Sequence, residues 1–82
     1  MSRRIGFIGI IVHHRYKNAE TVNTLLSQYG EIILSRTGLP RVREETNVIT
    51  LVVEASTDEI GEITGKLGQI EGVTVKSALA KE

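Results

Sequence analysis

Residues 5–12 (IGFIGIIV) are apolar almost without a break and rich in β-branched side chains, and they carry two glycines that a helix would resist. This pattern predicts a central strand covered on both faces. Over residues 17–29 the apolar positions Ala19, Val22, Leu25, Leu26 and Tyr29 recur at intervals of three and four, with Gly30 placed to stop the helix. An amphipathic helix lying on a sheet accounts for that spacing. Residues 31–37 read as a second strand ended by Gly38, Leu39 and Pro40, because proline cannot donate to a ladder, and residues 41–46 read as a charged turn. Residues 47–55 alternate, with Ile49, Leu51, Val53 and Ala55 on one face and Val48, Thr50, Val52 and Glu54 on the other. Ser56 followed three residues later by Glu59 is a capping-box pattern, and Ile60, Ile63, Leu67 and Ile70 then mark one face of a helix over 57–70. Glu71 and Gly72 turn the chain into a last alternating strand over 73–79.

Strand, helix, strand, strand, helix, strand is the order of the split βαβ arrangement, in which right-handed crossovers place both helices on one face of a four-stranded antiparallel sheet. The fold class is therefore α+β, ferredoxin-like βαββαβ, as a single domain over residues 1–82. The second sheet face starts uncovered. On a monomer it should be polar, yet the first strand is apolar on both sides, and Val48 and Val52 add to the bare face. Association of copies through that face or a sheet edge, as a dimer or tetramer, is the expectation. A core of this size contributes only about 3–5 kcal/mol, so burial against another copy would help.

Composition narrows the partners. Hydrophobic residues make up 40% and charged residues 24%, an ordinary globular mixture. Ten basic side chains balance ten acidic ones, so no overall field gathers a polyanion, although Arg3 and Arg4 lie together and Arg41 and Arg43 cluster later. An RNA-recognition module of this strand order needs stacking aromatics on its third strand, and residues 47–55 have none. Direct nucleic-acid binding is not implied. With no cysteine there is no disulfide framework, thiolate zinc site, protein-ligated iron–sulfur cluster or thiol nucleophile. The apolar run 5–12 is too short to span a bilayer and lacks a small-residue cleavage site after it, so no membrane partner and a cytoplasmic location are expected.

Candidate chemistry is sparse. His13 and His14 follow the first strand in a strand-to-helix loop, a position where ligand sites gather. Adjacent residues of an extended segment point opposite ways, so a metal on His13 or His14 would need ligands from a neighbouring subunit. Gly61 through Gly68 superficially resembles a phosphate loop, but three residues rather than four separate Gly61 and Gly65, and Leu67 stands where Ser or Thr must bind magnesium. Inside a helix each glycine costs about 1 kcal/mol relative to alanine. Gly61, Gly65 and Gly68 form one stripe, beside Lys66, that would let the helix approach its own sheet or the same helix of another subunit. Arg36, Arg41, Arg43, Glu44 and Glu45 surround the second turn and read as a solvated hairpin tip or an anion site. No nucleophile is placed beside a base, and Asp58 and Glu59 are explained as acids at a helix start, so an enzyme is not expected.

Two stretches carry a family resemblance: Arg36-x-Gly38-x-Pro40, and Ile60-Gly61-x-Ile63-Thr64-Gly65-Lys66-Leu67-Gly68 with Gly72-Val73-x-Val75-Lys76 after it. On these the chain resembles, over nearly its whole length, the iron-only hydrogenase system regulator family of small ACT-like proteins. The resemblance implies a role near the maturation or expression of an iron-only hydrogenase. Related ACT domains bind amino acids at subunit interfaces, commonly near the loop after the first strand, and the similar C-terminal domain of nickel-responsive repressors binds metal between subunits. Val12, His13, His14 and Arg15 occupy the comparable place here. Two departures are the absence of a cysteine to complete a nickel-repressor-type site and the absence of an attached DNA-binding segment, so such a domain is expected to act through a protein partner. The resulting expectation is a homo-oligomeric, small-ligand-sensing regulatory domain. Its alternatives are a metal-responsive domain using interface histidines and a purely structural assembly module. The sequence names no cofactor.

Overall fold

The computed structural model describes residues 2–81. Met1 and Glu82, the ends of the domain expected over 1–82, lie outside the described residues. The chain runs β1 (Arg4–Val12), α1 (Arg15–Ser27), β2 (Ile33–Arg43), β3 (Thr46–Ala55), α2 (Thr57–Gly68) and β4 (Val73–Leu79). The strands lie in the order β2-β3-β1-β4, and every neighbouring pair is antiparallel. This is the expected ferredoxin-like sheet, with β1 and β3 at its centre.

Period-two patterning sets which side chains enter the core. Ile8, Ile10 and Val12 of β1 and Leu51, Val53 and Ala55 of β3 are fully buried beneath the helices. They meet Val22 and Leu26 of α1 and Ile63 and Leu67 of α2, each pair one helical turn apart. The opposite face of β1 is not covered within the chain, in contrast to the two-sided covering expected for this strand. Ile5, Phe7 and Ile11 stay 37%, 54% and 38% exposed.

Three elements depart from their expected bounds. Strand β2 does not end at Thr37 but continues past Pro40 to Arg43, and the turn tightens to Glu44 and Glu45. Pro40 is tolerated because β2 is an edge strand and the proline sits where the β2–β3 register shifts between Leu39 and Arg43. Arg41 there takes a positive φ of 55°, and its N–H donates to Asn47 Oδ1 at 3.1 Å. Helix α1 starts and stops two residues earlier than its apolar spacing suggests. At its end the amides of Gln28 and Tyr29 reach back only to the Leu25 and Leu26 carbonyls, a tightened last turn. Helix α2 likewise ends at Gly68, with Ile70 held by a bond to the Leu67 carbonyl.

The capping box at α2 is complete. The Glu59 N–H donates to Ser56 Oγ at 3.1 Å, and Glu59 Oε1 accepts from the Ser56 N–H at 2.8 Å. Arg3 adds two bonds to the same carboxylate, at 3.1 and 2.8 Å. Hydrogen bonding from Arg3 first, and from the Ser56 backbone second, holds the Glu59 carboxyl down from 4.5 to about 2. A carboxyl with a depressed folded value stabilises the fold above its unfolded value, and that stability is lost as the pH falls through the folded one. Acid titration followed by circular dichroism should therefore show a decline from about pH 4.5 to about pH 2. Glu59→Gln keeps the cap but should flatten that part of the curve. Both side chains are half exposed, so added salt should weaken the effect.

Candidate functional site

The loop between β1 and α1 is held from three sides. The His13 N–H donates to the Gly72 carbonyl at 2.7 Å, the Arg15 N–H donates to the Glu45 carbonyl at 3.0 Å, and His13 Nδ1 lies 3.3 Å from Thr46 Oγ1. Asn18, buried although polar, donates through Nδ2 to the carbonyls of His13 and Glu71, both at 2.8 Å. That amide fastens the β1–α1 loop to the α2–β4 turn. Gly72 is required beside it, because its φ is +87° and a Cβ there would stand 2.9 Å from Asn18 Nδ2. His14 caps α1 in the left-handed region, φ 54°, without a side-chain capping bond.

The four residues expected to bind a ligand do not converge. Val12 is buried and faces the core side, His13 and His14 line a shallow cleft with Glu44, Glu45 and Thr46, and Arg15 places its guanidinium 4.7 Å over the Tyr16 ring. Among the described residues no group of three His, Asp or Glu side chains is arranged to hold a metal ion.

The glycine stripe of α2 faces outward. A Cβ built on Gly61 or Gly65 meets nothing within 4 Å, and one on Gly68 meets only Val75 Cγ1 at 3.8 Å. Close packing on the sheet, one of the two expectations for this stripe, is thereby corrected for Gly61 and Gly65, and Gly68 alone touches β4: the buried side of α2 is Ile60, Ile63 and Leu67. Lys66 sits on the exposed side with its ammonium 5.4 Å over the Tyr29 ring. Tyr29 first, and Glu62 less, raises the Lys66 pKa.

Two features form larger surfaces. The first is the helix-free sheet face. Phe7 stands opposite Val52 on β3 and Ala78 on β4, Ile11 stands opposite Val48 and Thr74, and Gly9 between them stands opposite Thr50 and Lys76. Leu39 of β2 extends the row beyond Val48 and is 57% exposed. The second is a cavity of about 170 Å³ between α1 and the β2–β3 hairpin. Val12, Val22 and Ile49 form its buried floor, and Asn23 and Arg36 stand at its exposed mouth, where the Arg36 guanidinium donates to Asn23 Oδ1. Gly38 and Pro40 complete the wall, so Arg36-x-Gly38-x-Pro40 is the rim of a cavity.

Comparison with known proteins decides the family. Residues 4–77 match the family model described as "TM1266-like: Iron-only hydrogenase system regulator, putative". The chain belongs to this family. Among solved structures, the TM1266-like chain is 42% identical to TM1266 of Thermotoga maritima, with a TM-score of 0.90 and coverage of 96% of this chain and 99% of that one. It is also similar to the ACT domain from GTP pyrophosphokinase of Chlorobium tepidum, at 16% identity, TM-score 0.78 and coverage of 94% and 100%. A third similar structure is CPII of Thiomonas intermedia K12, a nitrogen regulatory PII-like protein, at 14% identity, TM-score 0.56 and coverage of 93% and 90%. The Chlorobium tepidum match establishes the ACT-like fold. No curated protein matches the sequence. No helix among the described residues is long and apolar enough to cross a membrane.

Asn18 and the cavity are the features of this TM1266-like domain that the amino-acid pattern did not reveal. Asn18 left a signal: it heads the row Asn18, Val22 and Leu26, spaced four apart, every member of which is buried. The cavity left only its rim, Arg36-x-Gly38-x-Pro40, since its volume depends on the separation of α1 from β2.

Proposed function

We propose that this member of the family is a homo-oligomeric regulatory domain that senses a small effector for an iron-only hydrogenase system and passes its state to a protein partner. It works by binding rather than catalysis, in the cytoplasm. The observation that carries the reading is the bare sheet face centred on Phe7, where Ile5, Ile11, Val48 and Val52 surround a half-exposed aromatic ring. Contiguous apolar surface of this kind marks an association site, and a second copy offers the same surface in return. The fold is compatible with ligand sensing: CPII, which shares it, binds ADP, AMP and bicarbonate.

Native mass spectrometry tests the reading. The protein should appear as a dimer or tetramer, and Phe7→Lys should give a monomer whose circular dichroism is unchanged, because Phe7 lies outside the core. A wild-type monomer at micromolar concentration would overturn the proposal.

A further inference from the structure

The cavity between α1 and the β2–β3 hairpin has a ligand chemistry written in its lining. Its floor of Val12, Val22 and Ile49 is apolar and buried, and its mouth holds a single cation, Arg36. No residue lining it is acidic. Among the described residues the ion pairs are Arg3–Glu59, Lys17–Glu71 and Lys66–Glu62, so Arg36 has no carboxylate of its own. The bond to Asn23 Oδ1 steadies the guanidinium toward α1 and leaves most of its N–H donors free. Gly38 pairs with Ile49 across the β2–β3 ladder, its φ needs no glycine, and a Cβ built there meets nothing within 4 Å. Neither backbone conformation nor a crowded neighbour accounts for glycine at this position. What the missing side chain preserves is the opening of the cavity.

We infer that this cavity binds a short aliphatic monocarboxylate, its carboxylate on Arg36 and its hydrocarbon tail on Val12, Val22 and Ile49. The assignment rests on the effector-sensing reading above and gives that effector a chemical class. Size sets one limit: an apolar cavity of about 150 Å³ accepts benzene, so a molecule of about six to eight non-hydrogen atoms fits here. Charge sets the other. An α-ammonium entering with the carboxylate would meet no acid, and the two side-chain carbonyls nearby are engaged, Asn23 by Arg36 and Asn47 by the Arg41 N–H. At the exposed mouth an ammonium would stand beside the like charge of Arg36 with no acid in the lining, so the site favours a simple acid over the matching amino acid.

Titration of the isotope-labelled protein with isovalerate, valine and isoamylamine at neutral pH tests this by amide chemical shifts. Isovalerate should give saturable shifts centred on Val22, Gly38 and Ile49, and valine and isoamylamine should bind at least about tenfold more weakly, the scale of one charge-assisted contact. Arg36→Gln should weaken isovalerate by about tenfold or more. Gly38→Val should abolish binding by filling the cavity. A thermal melt establishes that each variant folds, and Gly38→Ala replaces the valine variant if that one does not. Equal binding of valine, unaltered binding by Arg36→Gln, or no saturable shift with isovalerate would each overturn the assignment. The native mass separates the two proposals. An oligomer whose cavity ignores isovalerate leaves the sensing domain standing without this site, whereas a monomer that binds isovalerate at Gly38 does the reverse.

Discussion

Gly6→Ala should destabilise the domain by about 2–3 kcal/mol, the scale of an overpacked site, and lower its melting temperature by roughly 10–20 °C. A Cβ at Gly6 would stand 2.5 Å from Leu79 Cδ2 and 2.6 Å from the Ala78 carbonyl oxygen. The leucine end can rotate away, but the carbonyl belongs to the β1–β4 ladder, where Gly6 pairs with Leu79 and the Ala80 N–H donates to the Ile5 carbonyl at 2.7 Å. Relief of the clash has to open that ladder. Gly9 lies in the same strand with nothing within 4 Å of its Cβ position, on the bare face. Gly9→Ala should therefore leave monomer stability within about 0.5 kcal/mol or raise it slightly, because alanine narrows the unfolded ensemble. Thermal melts of the two variants side by side check both statements. Equal losses would mean that strand propensity, rather than the approach of β4, governs β1.

Asn18→Ala should cost about 2 kcal/mol, and Asn18→Asp more at neutral pH. Alanine strips the donor from two carbonyls, those of His13 and Glu71, and recovers only a few tenths of a kcal/mol of helix propensity. Aspartate in addition turns a negative charge toward both carbonyl oxygens, so its deficit should shrink as the carboxyl is protonated in acid. Gly72→Ala attacks the same clamp from the other side, since the new methyl would press on Asn18 Nδ2 at 2.9 Å in a backbone conformation that disfavours alanine. The two changes should not add. In an Asn18→Ala background, Gly72→Ala should lose less than in the wild type, which urea denaturation of the four proteins measures as a coupling energy. Strict additivity would mean that the amide and the turn are independent.

Most of the fold is legible in the amino-acid order because burial follows it residue by residue. The alternation over Asn47–Ala55 assigns both faces of β3 correctly, and Ser56 with Glu59 marks the start of α2. The parity of β1 also separates its glycines: Gly6 shares the buried row with Ile8, Ile10 and Val12, and Gly9 does not. Strand β2 is the exception, since all but Ile33 of its residues are exposed and a strand without a buried row leaves no period to read. By pattern alone Pro40 consequently reads as a terminator, although the edge position of β2 removes the need for its N–H. The candidate site was less legible for a related reason. Neighbours in sequence, Val12 through Arg15, divide between the core, a cleft and the half-buried start of α1. The cavity instead draws on four separate elements, whose distances no local pattern encodes.

The two rims of the sheet are unequal, and this limits what the protein can polymerise into. Along β2 the backbone is bent by two register shifts, lacks an N–H at Pro40 and turns left-handed at Arg41. Along β4 it is regular from Val73 to Leu79. A strand from another chain finds an unbroken row of free backbone groups on β4 alone. Two molecules joined there, strand against strand, have no second straight rim to offer a third. Growth by this route stops at a pair, and a fibre built by adding sheet to sheet has no way to propagate.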